Sequence, residues 1–175
     1  MRIRYKKWAR PELEACDFYI DEPEGLKTKW NSAFKKKQPI HIELGCGKGS
    51  FMAQLASTNL DINYIAVDMV DAMLGLSKRN IESAYESLGL EPENIILTRH
   101  DIERILLFMS EEDIVDRIYI NFCNPWPKPK HRKKRLTHTK QLMLYRKFLK
   151  DDGEIYFKTD DDDLFNSSLL YFEEC

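Results

Sequence analysis

The glycine-rich segment at residues 43–49 (Glu-Leu-Gly-Cys-Gly-Lys-Gly) constrains the fold of this chain more than any other feature. It follows a short run at 40–42 (Ile-His-Ile) and precedes residues 51–56, whose apolar side chains recur at helical spacing. The pattern predicts a strand, a tight glycine turn and a helix. Glycines let the backbone approach a ligand closely, and the helix N-terminus beyond them offers unpaired N–H groups. We therefore expect a nucleotide-like ligand on this turn.

Three glycine turns that bind nucleotides look alike, and the residues after the turn distinguish them. A P-loop requires Gly-Lys followed by Ser or Thr, whereas Gly49 follows Lys48 here. A dinucleotide fingerprint requires its third glycine at the position of Ser50. The spacing Glu-x-Gly-x-Gly-x-Gly instead resembles the first motif of the S-adenosylmethionine-dependent methyltransferases, in which an acidic residue starts the turn near the methionine moiety. The alternative is a glycine turn that binds no ligand.

A second acidic residue supports a nucleotide-like ligand. Asp68 ends the next apolar segment, residues 63–67, about twenty residues beyond the turn. A carboxylate at that place can accept two hydrogen bonds from ribose hydroxyls. The two features together predict a ligand at the ends of two successive strands.

Predicted strands alternate with predicted helices along the chain. After the helix of residues 51–56, apolar spacing indicates helices within 70–88, 102–109 and 142–149, the last of which residues 151–153 (Asp-Asp-Gly) are expected to end. The predicted strands lie at 40–44, 63–67, 94–98, 117–122 and 154–158. This alternation predicts an α/β fold with a doubly wound, mostly parallel sheet of Rossmann-like topology.

That architecture indicates where ligand-binding residues lie. In an open parallel sheet, ligands bind at the carboxyl ends of the strands. Asp68, Asp101, Asn124 and Asp160 each come just after a predicted strand. We expect these four side chains to face one crevice.

Length and composition are consistent with a single domain covering residues 1–175. An apolar content of 43% is enough for one sizeable core, and no apolar run has the length of a membrane span. The N-terminus lacks the apolar centre of a signal peptide, so we expect a soluble cytoplasmic protein with no membrane contact. The four cysteines show no metal-ligand spacing, and we expect free thiols and no metal.

A net charge of −2 conceals strong segregation of charge. Residues 128–135 contain six Lys or Arg in eight positions, whereas residues 160–163 are four consecutive aspartates. The N-terminal arm, residues 1–10, carries Arg2, Arg4, Lys6, Lys7 and Arg10 interleaved with Tyr5 and Trp8. Cations that bind phosphates, combined with aromatic stacking surfaces, are typical of nucleic-acid binding. A solvated loop is the alternative interpretation of the basic run.

The loop after the fourth predicted strand contains Asn124-Pro125-Trp126. It resembles the Asp/Asn-Pro-Pro-aromatic loop with which amino- and base-methylating enzymes hold a planar nitrogenous substrate. In such a loop the amide oxygen accepts a hydrogen bond, the aromatic ring stacks, and the prolines fix the backbone. A proline-stiffened turn with a packing tryptophan is the alternative.

Four segments, in order and spacing, resemble the bacterial tRNA (guanine-N7-)-methyltransferase family over nearly all of the chain. They are the N-terminal residues 1–9, the turn at 42–49, the Asn-Pro-Trp-Pro-Lys loop with its basic run, and residues 158–160 (Lys-Thr-Asp). The resemblance implies a class I methyltransferase that uses S-adenosylmethionine, yields S-adenosylhomocysteine, and methylates N7 of the guanine at position 46 in the tRNA variable loop. It implies no obligatory protein partner, and a monomer or homodimer.

The resemblance also implies roles for individual residues. Asn124 and Asp160 match catalytic positions, and Lys128 and Asp160 match substrate contacts. Positions that match the cofactor site are Glu43, Gly45, Gly47, Gly49, Asp68, Asp101 and Asn124. Positions that match the RNA-contact stretch are Lys130, His131, Arg132, Lys133, Lys134 and Arg135.

Two features depart from the family pattern. The family usually has Asp where this chain has Asn124, and it continues with two further strands and a Thr-x-x-Glu motif that this sequence, ending at Cys175, does not contain. We therefore expect a truncated C-terminus that lacks the last two strands. Two alternatives remain open: a methyltransferase of the same fold that uses the basic run to bind another nucleic acid, and a catalytically weak RNA-binding module that keeps the fold. The second alternative rests on these departures.

The implied reaction needs little proton transfer. N7 of guanine carries no proton and has a free lone pair, so positioning can supply most of the acceleration. Positive charge moves onto the guanine ring as the methyl group arrives, and a carboxylate such as Asp160 would stabilise that charge. Asn124 cannot supply the charge, but it can orient the base by accepting a hydrogen bond.

Overall fold

A computed structural model describes residues 3–175, and its central element is a six-stranded sheet in which every pairing is parallel. The strand order is β1-β4-β3-β2-β5-β6. The strands are β1 (Tyr19–Ile20), β2 (Ile40–Leu44), β3 (Asn63–Asp68), β4 (Ile95–Arg99), β5 (Val115–Asn121) and β6 (Leu149–Lys158). The predicted doubly wound parallel sheet is thus confirmed, and all five predicted strands are present.

Within residues 3–175 five α-helices flank the sheet, and short 3-10 turns connect several elements. The α-helices are α1 (Ala9–Glu14), α2 (Ser50–Thr58), α3 (Asp71–Ser87), α4 (Thr139–Tyr145) and α5 (Asp162–Glu174). The 3-10 turns are Pro23–Leu26, Trp30–Ala33, Ile102–Leu107 and Pro129–Lys134. No helix within residues 3–175 combines the length and the apolar character that crossing a membrane would require.

The central strands are buried on both faces, as expected for a parallel sheet covered by helices. Successive side chains of a strand point to opposite faces. Accordingly, Ile65 and Val67 of β3 belong to one buried apolar cluster, which also contains Leu142 and Tyr145. Tyr64 and Ala66 belong to a second cluster, together with residues of α2 and α3. These two clusters fix the sheet, and hence the positions at which its strands end.

Two predicted helices differ from the structure. Residues 102–107 form a 3-10 turn, broken at Arg104, rather than an α-helix; buried Ile102 and Ile105 are three residues apart, which also fits a 3-10 period. The helix predicted to reach residue 149 ends at Tyr145, because Leu149 already pairs with Val115 of β5.

The Asp-Asp-Gly segment at 151–153 was predicted to stop a helix, but it lies inside β6. Val115 pairs with Leu149, and the next pair is Arg117 with Glu154. Between these two pairs β5 advances by two residues and β6 by five, so β6 contains three extra residues. Such an insertion is a bulge, which leaves the extra residues unpaired and bends the strand. β6 is nevertheless an edge strand of the sheet.

Trp8, near the end of the N-terminal arm, packs against α3, whereas Tyr5 is 80% exposed. The Arg79 guanidinium carbon lies 3.5 Å from the centroid of the Trp8 ring, and a Cβ on Gly75 would lie 2.8 Å from a Trp8 ring carbon. Arg10 forms two hydrogen bonds of 2.7 Å with Asp21. In this structure the Trp8 ring and the Arg10 guanidinium therefore already have partners within the chain, and an RNA contact by the arm stays a prediction. Arg2 lies outside the described residues.

Candidate active site

The predicted crevice lies where the direction of chain progression across the sheet reverses. From β2 the chain continues to β3 and β4 on one side, and later to β5 and β6 on the other. Open α/β sheets bind ligands at such a switch point, outside the carboxyl ends of the strands. Because the strands are parallel, the ends of β2, β3, β4, β5 and β6 lie at one edge of the sheet. The predicted site residues therefore share that edge.

The glycine turn between β2 and α2 has the backbone conformation that the sequence predicts. Gly45, Gly47 and Gly49 have φ values of 79°, 55° and 73°, in the left-handed region that favours glycine. At Gly49 an added Cβ would also lie 1.9 Å from the Ser77 hydroxyl oxygen. The amides of Gly45 and Cys46 both donate to the Val67 carbonyl at 2.9 Å, which ties the turn to β3. The turn is therefore held in one conformation.

Asp68, at the end of β3, organises this turn. Its Oδ2 accepts a 2.9 Å hydrogen bond from the Gly47 amide. Its Oδ1 accepts from the amides of Met69 and Val70 at 2.8 and 3.1 Å. An ionised carboxylate has about four lone-pair sites, so three internal bonds leave room for a ligand hydroxyl but not for two. Asp68 thus has a second role, holding the glycine turn, that the sequence did not reveal.

Glu43 is a buried carboxyl with one oxygen unpaired. Its side chain lies near the end of β2, and the residue is 2% exposed. Oε1 accepts a 3.3 Å hydrogen bond from Asn121, whereas Oε2 is buried and has no partner among the described residues. Burial raises the pKa of Glu43 to about 8; the Asn121 hydrogen bond opposes the rise, and the charge of Asp68 adds to it. Such a group favours a ligand that brings a donor or a positive charge.

Asn121 is a site residue that sequence reasoning missed. It is the last residue of β5, which pairs directly with β2, and it supplies the hydrogen bond to Glu43. Its position just before the Asn-Pro-Trp loop was visible in the sequence. The contact was not, because it depends on β5 being the neighbour of β2.

Asp101 follows β4 and caps the next 3-10 turn. Its Oδ1 accepts a 3.0 Å hydrogen bond from the Glu103 amide. Together with Met69 and His100, it lines a solvent-accessible cavity of about 630 Å³ beside the ends of β3 and β4. That volume lies within the range of small-molecule sites.

The Asn-Pro-Trp loop after β5 is internally bonded and strained. The Asn124 Oδ1 accepts a 3.0 Å hydrogen bond from the Trp126 amide, and Asn124 itself is exposed. Phe122 and Trp126 have φ values of 52° and 43°, which are uncommon for residues other than glycine. Strained backbone of this kind concentrates at functional sites. The amide oxygen of Asn124 keeps a second lone pair for a substrate donor.

The basic run continues from this loop as a 3-10 turn, with Lys128 exposed just before it. Edge-to-face packing places the Trp126 ring 5.5 Å from the His131 ring, and the Lys134 ammonium lies 5.1 Å from the Trp126 ring centroid. The cationic side chains exposed on this turn are Lys130, Arg132, Lys133 and Lys134.

Arg135 is the exception, and its predicted RNA contact needs correction. Its side chain is 0% exposed, and its Nε donates to the Pro125 carbonyl at 2.7 Å. Its Nη2 lies 2.5 Å from the Asp163 carboxylate. A buried guanidinium that is bonded in this way cannot reach a phosphate in solution without breaking these bonds.

Asp160 lies beyond the end of β6 and is exposed. The neighbouring Asp161 caps α5, since it accepts a 2.7 Å hydrogen bond from the Leu164 amide. Within residues 3–175 no group of three His, Cys, Asp or Glu side chains could hold a metal ion, and the four cysteines are free thiols.

Comparisons with known proteins show which sequences and folds this chain resembles. A family whose description reads "Putative methyltransferase" matches residues 37–175. The chain is 60% identical over 174 residues to the tRNA (guanine-N(7)-)-methyltransferase of Clostridium beijerinckii, covering 99% of this chain and 80% of that protein. The protein of that name from Clostridium botulinum (strain Eklund 17B) is 58% identical with the same coverage. The precorrin-6y C5,15-methyltransferase of Geobacter metallireducens matches with a TM-score of 0.60 and 14% identity, over 78% of this chain and 63% of that one. This last likeness shows a shared fold.

Proposed function

The chain belongs to the family of the tRNA (guanine-N(7)-)-methyltransferases, and from this membership we propose that it transfers a methyl group from S-adenosylmethionine to N7 of the variable-loop guanine of tRNA. The likeness to relatives of that name over nearly the whole chain carries the proposal. A tRNA substrate and a cytoplasmic location are parts of the same proposal.

The residues around the glycine turn fit the cofactor. The unpaired Oε2 of Glu43 is a buried acceptor beside the turn, where a cationic methionine moiety would pair with it. Asp68 keeps one lone-pair site for a ribose hydroxyl, and the cavity bordered by Met69 and Asp101 has room for the rest of the nucleoside. The left-handed glycines 45, 47 and 49 let the backbone come close to this ligand. Bound S-adenosylmethionine would supply an electrophilic methyl group.

Asn124 and Asp160 would then act on the guanine. Both follow strands that end at the crevice, and β5 and β6 are neighbours in the sheet. Asn124 holds the base by accepting a hydrogen bond from a guanine N–H, so that N7 faces the methyl group. The Asp160 carboxylate stabilises the positive charge that develops on the ring as N7 forms its new bond. No general base is required, because N7 has no proton to lose.

The exposed cations of the basic run would bind the tRNA backbone. Lys128 and Lys130 to Lys134 project from a turn that directly continues the substrate loop. Arg4, Lys6 and Lys7 of the N-terminal arm add positive charge, whereas Arg135 is excluded by its burial. Phosphate contacts of this kind position an RNA without reading its sequence.

The test is methyl transfer to unmodified tRNA. Purified protein is incubated with labelled S-adenosylmethionine and, in parallel, with tRNA, ribosomal RNA or double-stranded DNA, and digested nucleosides are separated. We expect label in 7-methylguanosine, and only from the tRNA reaction. Label in another nucleoside or another nucleic acid, or cofactor binding without any transfer, would contradict the proposal.

A further inference from the structure

The buried Arg135 connects the substrate loop to the start of α5. One side of its guanidinium bonds to the loop: Nε donates to the Pro125 carbonyl at 2.7 Å, and Nη2 lies 3.5 Å from the Trp126 carbonyl. The same Nη2 donates to Asp163 Oδ2 in the first turn of α5. Charge-assisted bonds of this kind are the strong class of hydrogen bond. The guanidinium end of this one is buried, whereas the Asp163 side chain is 54% exposed.

Both ends of this connection lie beside predicted catalytic residues. Pro125 and Trp126 directly follow Asn124, whose side chain accepts from the Trp126 amide. Asp163 is three residues beyond Asp160, and the intervening Asp161 caps the same helix. Arg135 therefore joins the segment that carries Asn124 to the segment that carries Asp160. The β5–β6 ladder ends just before these residues, where the Phe122 amide donates to the Lys158 carbonyl at 2.8 Å, so Asn124 and Asp160 lie two residues beyond it.

Arg135 makes the shorter of the two ion pairs that the structure gives Asp163. Arg132 also approaches Asp163, at 3.6 Å, but its side chain is 45% exposed. Asp162, the preceding residue in the same helical turn, is exposed and bears the same charge. A second contact between these regions, the 2.7 Å hydrogen bond between Thr137 and Ser168, remains when Asp163 is changed. Replacing Asp163 should therefore loosen the loop without unfolding the chain.

We propose that Arg135 and Asp163 form a positioning clamp that holds the Asn124 loop at a fixed distance from Asp160. In this assignment Arg135 is not an RNA contact, and Asp163 is not a catalytic residue. The clamp acts through the placement of the two groups that meet the guanine. It rests on the proposed function, because its purpose is to align a base for methyl transfer.

The first measurement is single-turnover methyl transfer at saturating cofactor and tRNA. Asp163→Ala should slow transfer by about 10- to 100-fold, since small misplacements of reacting groups have effects of that size. Asp163→Asn keeps an oxygen acceptor for Arg135 and should recover part of the rate. The matched control, Asp162→Ala, removes the same charge from the same helical turn and should keep the wild-type rate. Cofactor affinity, measured by calorimetry, should stay within about twofold for all three variants.

The second measurement does not depend on activity. Acrylamide quenching of Trp126 fluorescence, obtained by subtracting the signal of matched Trp126→Phe proteins, should increase in Asp163→Ala and not in Asp162→Ala. If the wild type forms no 7-methylguanosine, the proposed function fails while this comparison still tests the clamp. Equal quenching and equal rates in the two alanine variants would overturn it. A parallel loss of cofactor affinity and rate in Asp163→Ala would also overturn it, because that pattern indicates general destabilisation.

Discussion

Cofactor binding near neutral pH should release a proton from Glu43. Burial raises the pKa of this carboxyl to about 8 in the protein without ligand, so at pH 7 it is about nine-tenths protonated. Its Oε2 is buried without a partner, beside the turn where we place the cationic methionine moiety. A positive charge within about 4–6 Å favours the ionised carboxylate and lowers its pKa. Binding and deprotonation are therefore linked.

The size of the effect follows from the pKa. If the bound cation lowers the pKa of Glu43 from about 8 to well below 7, the carboxyl becomes almost fully ionised at pH 7, and about 0.9 proton leaves per binding event. Each tenfold change in the ionisation constant of Glu43 corresponds to roughly 1.4 kcal/mol of favourable interaction between the ligand and the carboxylate. Above about pH 9 the carboxyl is already ionised, and the release should vanish.

Titration calorimetry with S-adenosylmethionine at pH 7, in buffers of different ionisation enthalpy, measures this release directly. The slope of observed enthalpy against buffer enthalpy gives the number of protons. Glu43→Gln is the matched control, since it keeps an oxygen for the Asn121 hydrogen bond but cannot titrate. We expect a slope near one proton in the wild type, and none, with weaker binding, in the variant. A wild-type slope of zero, or an equal slope in both proteins, would refute the reasoning.

The same carboxyl should make folding stability depend on pH. Its pKa in the folded state, about 8, exceeds the reference value of 4.5, so the folded state binds this proton more tightly than the unfolded chain does. The contribution of this protonated carboxyl to the free energy of unfolding is complete below about pH 4.5 and is lost as the pH rises through about 8. The total change in that free energy is on the order of 5 kcal/mol. Urea unfolding from pH 5 to 9 should show this loss in the wild type relative to Glu43→Gln. Parallel curves for the two proteins would contradict it.

Three further predictions concern the other site residues. Asp68→Ala removes a ribose acceptor and three bonds that hold the glycine turn, so cofactor affinity measured by calorimetry should fall by at least about 1.5–3 kcal/mol; unchanged affinity would remove Asp68 from the site. Neutralising Lys133 and Lys134 together should weaken tRNA binding and reduce its dependence on salt concentration, while cofactor binding is preserved. If the salt dependence of tRNA affinity is unchanged, the basic run is a solvated loop that does not contact phosphates. Asn124→Ala should slow single-turnover transfer on the order of 10²-fold. Asn124→Asp should transfer at the wild-type rate or faster, and a nearby Asp160 carboxylate would confine any gain to higher pH. Equal rates in the wild type and both variants would exclude position 124 from the mechanism.

Much of the fold could be predicted because strong local patterns encode it. The glycine turn stands between a strand pattern and a helix pattern, and the central strands β2 to β5 are short apolar runs bounded by turn residues. β1 contains only two residues and carries no pattern of its own. The Asp-Asp-Gly segment forms a bulge in β6 instead of ending a helix. The sequence does not distinguish the two structures, because Asp and Gly are turn signals in both.

The candidate site was predictable in its position but not in its contacts. Glu43, Asp68, Asp101, Asn124 and Asp160 follow or end strands, so a rule about parallel sheets locates them. The internal bonds of Asp68 depend on how neighbouring segments pack, and no local sequence pattern specifies such contacts.

In the basic segments too, the sequence did not indicate which side chains have partners within the chain. Within the basic run Arg135 looks like its neighbours, but tertiary structure buries it against Pro125 and Asp163. Trp8 was expected to stack on a base, but in the folded chain Arg79 occupies its ring face.

The central claim is that N7 of a tRNA guanine receives the methyl group, and atomic substitution at N7 tests it most directly. Two transcripts of one tRNA are compared, one with guanine at the variable-loop site and one with 7-deazaguanine, which has a carbon in place of N7. We predict one methyl group per guanine transcript, recovered as 7-methylguanosine, and none on the 7-deaza transcript, with equal binding of both. Equal methylation of the two transcripts would contradict the account.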